Sequence, residues 1–521
     1  MSALFDLFGF LAVLLHGLDL VAQSVLVGSV AFALFVAAPL ELPARTQTRG
    51  RRIVRFAAIA TLITTGMATL VSALALRVSL DLGMREIAGA TFVVAGVAKA
   101  AAAATIACLV RALTRSRTVR VVSVVACSVV LGAALTDTHA IARIDGSVAL
   151  TLATIAHMLG AALWLGGLPC FWWALRDVDP AAAMALGRRF SLVAAFGVAL
   201  IVAGAVVFAI FYIGSIDGVY GTAYGAMATT KGVLLAILLA LGCANFLATH
   251  GIGTRMPILR TLRFVEVEMG IGVAVLMAAA SITAATPSVD VVADRVTLAQ
   301  IAHRVRPEAP RLTSPPPGML SAPAAAHDGG RNAQDRAWSE YNHHWAGLLV
   351  VLMGIAALAQ RTGHAPFARH WPLLFLLLAL FLLVRADPEV WPLGPLGPIE
   401  SLRDPEVAQH RLFVVMIVAF ALFEWRVRTG RIESPALVRV FPLVTAAGAT
   451  LLLTHSHAVG DVKEQLLIEM THLPIAVLGI VAGWSRWLEV AAPRAEGRWA
   501  AWVWPSAFVL IGLLLLDYRE A

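Results

Sequence analysis

Charge is scarce in this 521-residue sequence, in which only 14% of residues are Asp, Glu, Lys or Arg. A soluble globular domain carries about a quarter. Cysteine is scarcer still. Cys108, Cys127, Cys170 and Cys243 form no CxxC pair, which argues against a disulfide framework and a paired-cysteine zinc site. The chain also lacks a P-loop, a GxGxxG turn, an HExxH helix and a nucleophile elbow, so the common nucleotide, zincin and hydrolase chemistries have no anchor. Apolar residues, by contrast, make up 59% of the chain, and the mean hydropathy is +0.82. Apolar runs of roughly 20 residues recur along the whole length. This implies an all-α, polytopic integral membrane protein whose surroundings are a lipid bilayer.

Fourteen apolar segments are expected to be spans: 8–38, 53–76, 87–110, 119–136, 148–175, 190–213, 231–249, 265–285, 345–360, 371–385, 407–425, 437–455, 470–488 and 500–517. The first opens without a positive stretch or a small-residue cleavage site, so it reads as a span rather than a signal peptide. Loop charge gives the orientation. With both termini outside, the inner loops hold 24 of the 40 Lys and Arg, against eight in the short outer loops and the tail. This is the positive-inside pattern. The net charge of +8 is therefore a topology signal, and no nucleic-acid partner is expected. Residues 287–340 contain no span and are rich in Pro, Ala and Gly, as an outer flexible linker would be. They divide the chain into an eight-helix domain, 1–286, and a six-helix domain, 341–521. A second outer loop, 386–405, is expected to lie on the membrane as a flap.

Polar residues within spans are costly and mark candidate sites. His16, Asp19 and Gln23 share one helical face. Lys99 sits at a depth like that of Asp19, so the two can pair, and Asp19 could instead orient His16. His157, followed by Met158, lies in another inward-running span, and His16 and His157 together could hold a metal or a haem. In the last six spans, His343, His344, His410, His455, His457 and His472 all fall at outer helix ends. Glu340, Glu406 and Glu469 precede His343, His410 and His472 by three or four residues, on the same face. Glu-x-x-His is a spacing used by carboxylate-bridged metal pairs. Met470 is the only nearby sulfur, so the ligand types favour Cu(II), Fe or Zn over a thioether-rich Cu(I) site. The histidines and glutamates are expected to converge on one outer metal site, some as ligands and some as their hydrogen-bond partners.

One stretch runs His157-Met158-Leu159-Gly160-Ala161-Ala162-Leu163-Trp164-Leu165-Gly166-Gly167. Thr222-Ala223-Tyr224-Gly225 follows, then Lys231, then Leu241-Gly242-Cys243-Ala244-Asn245, then Glu268. With this ordered set, residues 1–290 resemble the copper resistance protein D family, and the last six spans look like the extension on its longer members. The resemblance implies a bacterial inner-membrane protein that binds periplasmic copper and transports it or confers resistance, with a periplasmic copper carrier as a partner. It also implies that His16 and His157 are the buried ligands of the first domain. The chain has no Met-rich outer segment and no fused copper carrier. Two alternatives stay open: a membrane oxidoreductase with haem b, such as a metal reductase, since paired histidines also hold haem, and a copper-delivery factor for a respiratory oxidase.

Overall fold

The computed structural model describes residues 2–80, 83–250, 258–316, 333–387, 390–402, 405–454, 462–492 and 497–519. Helices dominate, and no strand occurs among these residues beyond an isolated bridge, Val390 to Leu396. The long helices are α1 (Ser2–Ala31), α2 (Ala44–Leu80), α3 (Thr91–Leu109), α4 (Arg117–Ala133), α5 (Ser147–Ala161), α6 (Leu168–Leu175), α7 (Pro180–Phe208), α8 (Ala223–Thr249) and α9 (Ile258–Ala284). They continue with α10 (Ala333–Arg361), α11 (Leu374–Arg385), α12 (Pro405–Arg428), α13 (Val440–Leu452), α14 (Val462–Ala491) and α15 (Ala500–Leu516). Among the described residues, eleven helical segments are long and apolar enough to cross a membrane, and α5 and α6 count as one through the turn that joins them. The chain is thus an all-α polytopic membrane protein. Each apolar segment named above overlaps at least one of these helices.

The chain forms two compact units. One contains residues 4–295 and the other mainly 296–452 and 458–521. In the first, α1 to α4 share a core of small and branched side chains, among them Leu26, Val30, Val54, Ala57, Ala103, Ile106 and Val130. In the second, the core is aromatic: Trp371, Phe441, Trp504 and Phe508 pack around Met353, with Trp371 and Trp504 ring centres 5.5 Å apart.

Helices embedded in lipid gain little by hiding apolar surface from one another, so close fit has to hold them. Two contacts show how. Between α5 and α6 the chain makes a π-helical turn, Ala162–Gly166, and presses it against α1. A Cβ on Gly166 would lie 1.8 Å from the Ser24 carbonyl oxygen, and one on Gly28 2.1 Å from that of Ala162. In the second unit, α10 and α15 cross at Gly347 and Gly512. A Cβ on either would lie 2.7–2.8 Å from the other's carbonyl oxygen.

Part of the expected flexible linker is tied down. A short helix, Leu298–Arg304, leads into a strap that lies on the second unit. Arg519 donates to the carbonyl of His303 at 3.2 Å and to that of Arg306, and it pairs with Glu308 at 3.1 Å. The Trp345 indole donates to the Leu312 carbonyl at 3.1 Å. Composition signalled looseness here because these partners lie far away in sequence.

Filling the Gly166 contact tests this packing. Gly166→Val should overpack the crossing and destabilise the first unit by about 1–3 kcal/mol or more, read as a lower unfolding temperature of the purified protein in detergent. Gly132→Ala is the control, because a Cβ there meets nothing within 4 Å. Equal unfolding temperatures for the two variants would mean that α1 and the turn are not in contact.

Candidate functional site

Three clusters of polar side chains bear on the candidate residues. The first is a cavity of about 270 Å³ in the first unit, lined by His16 and Asp19 from α1, Thr65 from α2, Lys99 from α3, and Thr136 and Asp137 just after α4. Asp19 is the centre of its bonding. The Thr64 and Thr65 hydroxyls donate to Oδ1 at 2.8 and 2.7 Å, and the Lys99 ammonium pairs with Oδ2. Both charges are buried, so neither is tolerable alone. Asp137 is a cavity residue the sequence reading passed over. Its signal was an acidic residue at the end of a span, at the depth of His16.

His157 is not among the residues that line this cavity. Its Nδ1 lies 3.0 Å from the Ile201 carbonyl, and its ring packs on Phe208 with centres 5.3 Å apart. His157 thus lies outside the cavity that His16 lines. The motif around His157 acts in packing. Gly166 admits α1, and Trp164, carried on the π-helical turn, flanks Gly242 together with Glu268 of α9. Asn245 of α8 donates to that buried carboxylate. Thr222 caps α8, taking the Gly225 N–H at 3.0 Å. The second place is thus a buried carboxylate held by Asn245, with Trp164 nearby.

The third place is one end of the second unit. The rings of His343 on α10 and His472 on α14 lie 6.4 Å apart, and Tyr518 stacks on His343 at 3.8 Å and meets His472 edge-on at 6.1 Å. Each histidine sets Nδ1 against the carbonyl four residues back, Ser339 at 2.8 Å and Ile468 at 2.9 Å. A donor there fixes the tautomer and leaves the lone pair on Nε2, the arrangement common in metal-binding histidines.

The other expected members of the cluster are engaged elsewhere or lie off the described residues. His344 has both ring nitrogens occupied. Nδ1 accepts the Arg311 N–H at 2.7 Å, and Nε2 lies 2.8 Å from the Tyr518 carbonyl. Glu340 pairs with Arg311 at 3.2 Å. His410 is held by Asp387, 2.6 Å away at the start of the 386–405 loop. Glu469 is buried, takes the Gln465 amide at 3.2 Å on one oxygen, and has no hydrogen-bond partner on the other. Met470 is half-buried and lies two positions from His472, on another helical face. His455, His457 and the side chain of Glu406 lie outside the described residues. Among the described residues, no three His, Cys, Asp or Glu side chains gather closely enough to hold a metal ion.

The Asp19–Lys99 pair yields a test. Lys99→Met strands a buried carboxylate, which should cost about 3–5 kcal/mol of stability. Adding Asp19→Asn should recover most of that loss, because the leftover charge is gone. Unfolding temperatures of the single and double variants decide it. A Lys99→Met protein as stable as wild type would show that Asp19 does not depend on this partner.

Comparison with known proteins agrees with the first unit. Residues 184–282 match the family described as Copper resistance protein D. The match takes in Asn245 and Glu268 and begins after the His157 stretch. The chain is also 35% identical over 131 residues to the Copper transport protein CutJ of Bacillus subtilis (strain 168), covering 24% of this chain and 24% of that one. It therefore spans about a quarter of that relative's length. No solved structure matches the chain. This is a multi-pass membrane protein related, through residues 184–282, to the copper resistance protein D family.

Proposed function

We propose that this protein handles copper at a bacterial inner membrane, binding periplasmic copper and transporting it or conferring resistance to it. The observation that carries the reading is the His343–His472 pair, 6.4 Å between ring centres, with each Nδ1 on a helix carbonyl. It sits in a chain whose other unit resembles copper resistance proteins. Imidazole with a neighbouring phenol and carboxylate suits Cu(II) better than a thioether-rich Cu(I) site. Tyr518 stacks on the pair, and Glu469 stands one turn before His472 with an unpartnered oxygen. Small adjustments of these side chains would complete a site of three or four ligands.

The polar cavity of the first unit, with His16, Asp19 and Asp137, supplies oxygen and nitrogen groups for a cation within the helical bundle. The family match and the CutJ likeness support copper as that cation. The excess of Arg and Lys in alternate loops supports an orientation with both termini in the periplasm.

Two measurements test the reading. Copper bound per protein, determined by elemental analysis, should fall at least tenfold in His343→Ala and His472→Ala, on the order expected for losing a metal-site group. It should stay at the wild-type level in His364→Ala, an exposed loop histidine. Equal copper content in all three would end the proposal. For topology, a cysteine placed at Gly330 should react with a membrane-impermeant reagent in intact spheroplasts. Labelling only after lysis would reverse the orientation.

A further inference from the structure

Counting loop charges treats Arg361, Arg428 and Arg486 as residues that fix topology. The structure instead turns them inward, to one place in the second unit, where they meet Glu424, Glu489 and two tryptophans. The place lies at the far end of the unit from His343. From His343 to Arg361 along α10 is 18 residues, about 27 Å of helix, close to the thickness of a hydrocarbon core.

Arg428 donates to Glu424 Oε1 at 2.6 Å, Arg486 pairs with Glu489 Oε2 at 2.6 Å, and Arg361 pairs with Glu489 as well. The Trp504 indole donates to Glu489 Oε2 at 2.7 Å. The Arg428 guanidinium lies over Trp504 at 4.9 Å and over Trp371 at 5.3 Å, and that of Arg486 over Trp504 at 5.7 Å. Five helical segments contribute: α10, the 3-10 segment Pro366–Leu373, α12, α14 and α15.

Two imbalances remain. Among the described residues, three guanidiniums face two carboxylates, an excess of one positive charge. Four buried polar atoms there also have no hydrogen-bond partner among the described residues: Arg428 Nη2, Arg486 Nε, Trp371 Nε1 and Glu424 Oε2. The side chains that carry them are at least nine-tenths buried. An orphaned buried donor is expensive, more so when charged. A group that answered all of them would be an anion with several acceptor oxygens and one hydroxyl. The oxygens would take the Arg428, Arg486 and Trp371 donors, and the hydroxyl would donate to Glu424. Guanidinium forks suit phosphate oxygens in particular, and basic pockets between helices near a membrane surface are known to hold phospholipid headgroups.

The geometry points to a binding site for a hydroxyl-bearing phosphate anion, formed by Arg428, Arg486, Trp371 and Glu424. Its source is either an anionic phospholipid headgroup such as phosphatidylglycerol or free phosphate. The site lies at the opposite end of the unit from the His343–His472 pair.

Ligand-induced stabilisation provides the test, since an anion that binds only the folded protein raises its unfolding temperature by mass action. Full-length protein in detergent is titrated with phosphatidylglycerol, phosphatidylcholine, sodium phosphate and sodium chloride. Phosphatidylglycerol or phosphate should stabilise it, and phosphatidylcholine and chloride should not. Stabilisation by phosphatidylglycerol alone identifies the lipid as the source, and stabilisation by phosphate alone identifies the free anion. Trp371→Phe removes one donor and keeps the ring, so the half-saturating concentration should rise about tenfold. Glu424→Gln keeps an acceptor oxygen for the hydroxyl while removing a negative charge beside the anion, so it should lower that concentration severalfold. An ion-pair network with no ligand predicts otherwise: Glu424→Gln would unfold earlier and respond to no anion. The site is refuted if neither phosphatidylglycerol nor phosphate outdoes its control. It is equally refuted if both variants keep the wild-type half-saturating concentration.

Discussion

Hydrocarbon rewards neither a hidden apolar side chain nor a naked polar one, and the architecture of this protein follows from that. Because lipid solvates leucine as well as a neighbouring helix does, contact has to come from shape and dispersion. Gly28 on Gly166 and Gly347 on Gly512 let backbones approach to a distance that any side chain would forbid. The same medium makes Asp19, Lys99, Glu268, Arg428 and Arg486 tolerable only with partners. Such partners often come from a neighbouring helix, so satisfying the charge also ties helices together. Asp19 alone ties α1 to α2 and α3.

This separates what builds the protein from what works in it. Thr222, Asn245 and Glu268, which fall within the family match, hold helices in register, as Gly166 does ahead of it. The cavity lined by His16 and Asp137 and the His343–His472 pair sit apart from them. A family resemblance carried by scaffold residues transmits the fold more securely than it transmits the ligands.

Helix positions were readable in the sequence because apolar runs are local, as was the neighbourhood of Asp19 and Lys99, because a cation at that depth must find an anion. Contacts made across the chain were not readable. His343 and His344 look equivalent in sequence, yet one position is 100° of helix. One ring faces His472 while the other is claimed by the strap at Arg311 and by the Tyr518 carbonyl. His410 finds Asp387 across a proline-rich loop whose path no periodicity records. Arg361, Arg428 and Arg486 obey the loop-charge pattern and still fold inward, since a charge count carries no direction.

The π-helical turn at Ala162–Gly166 is the form a single extra residue takes when a helix absorbs it rather than breaking. Without it, α5 would run straight into α6 with the phase of everything downstream altered by about 100°. Leu168, Cys170, Phe171 and Ala174, now buried, would swing away from their neighbours, and Trp164 would lose its place beside Gly242. One residue of length in this helix therefore acts as a setting of rotational phase. Related chains should hold the length of this turn as strictly as the glycine at its end, which has no room for a side chain.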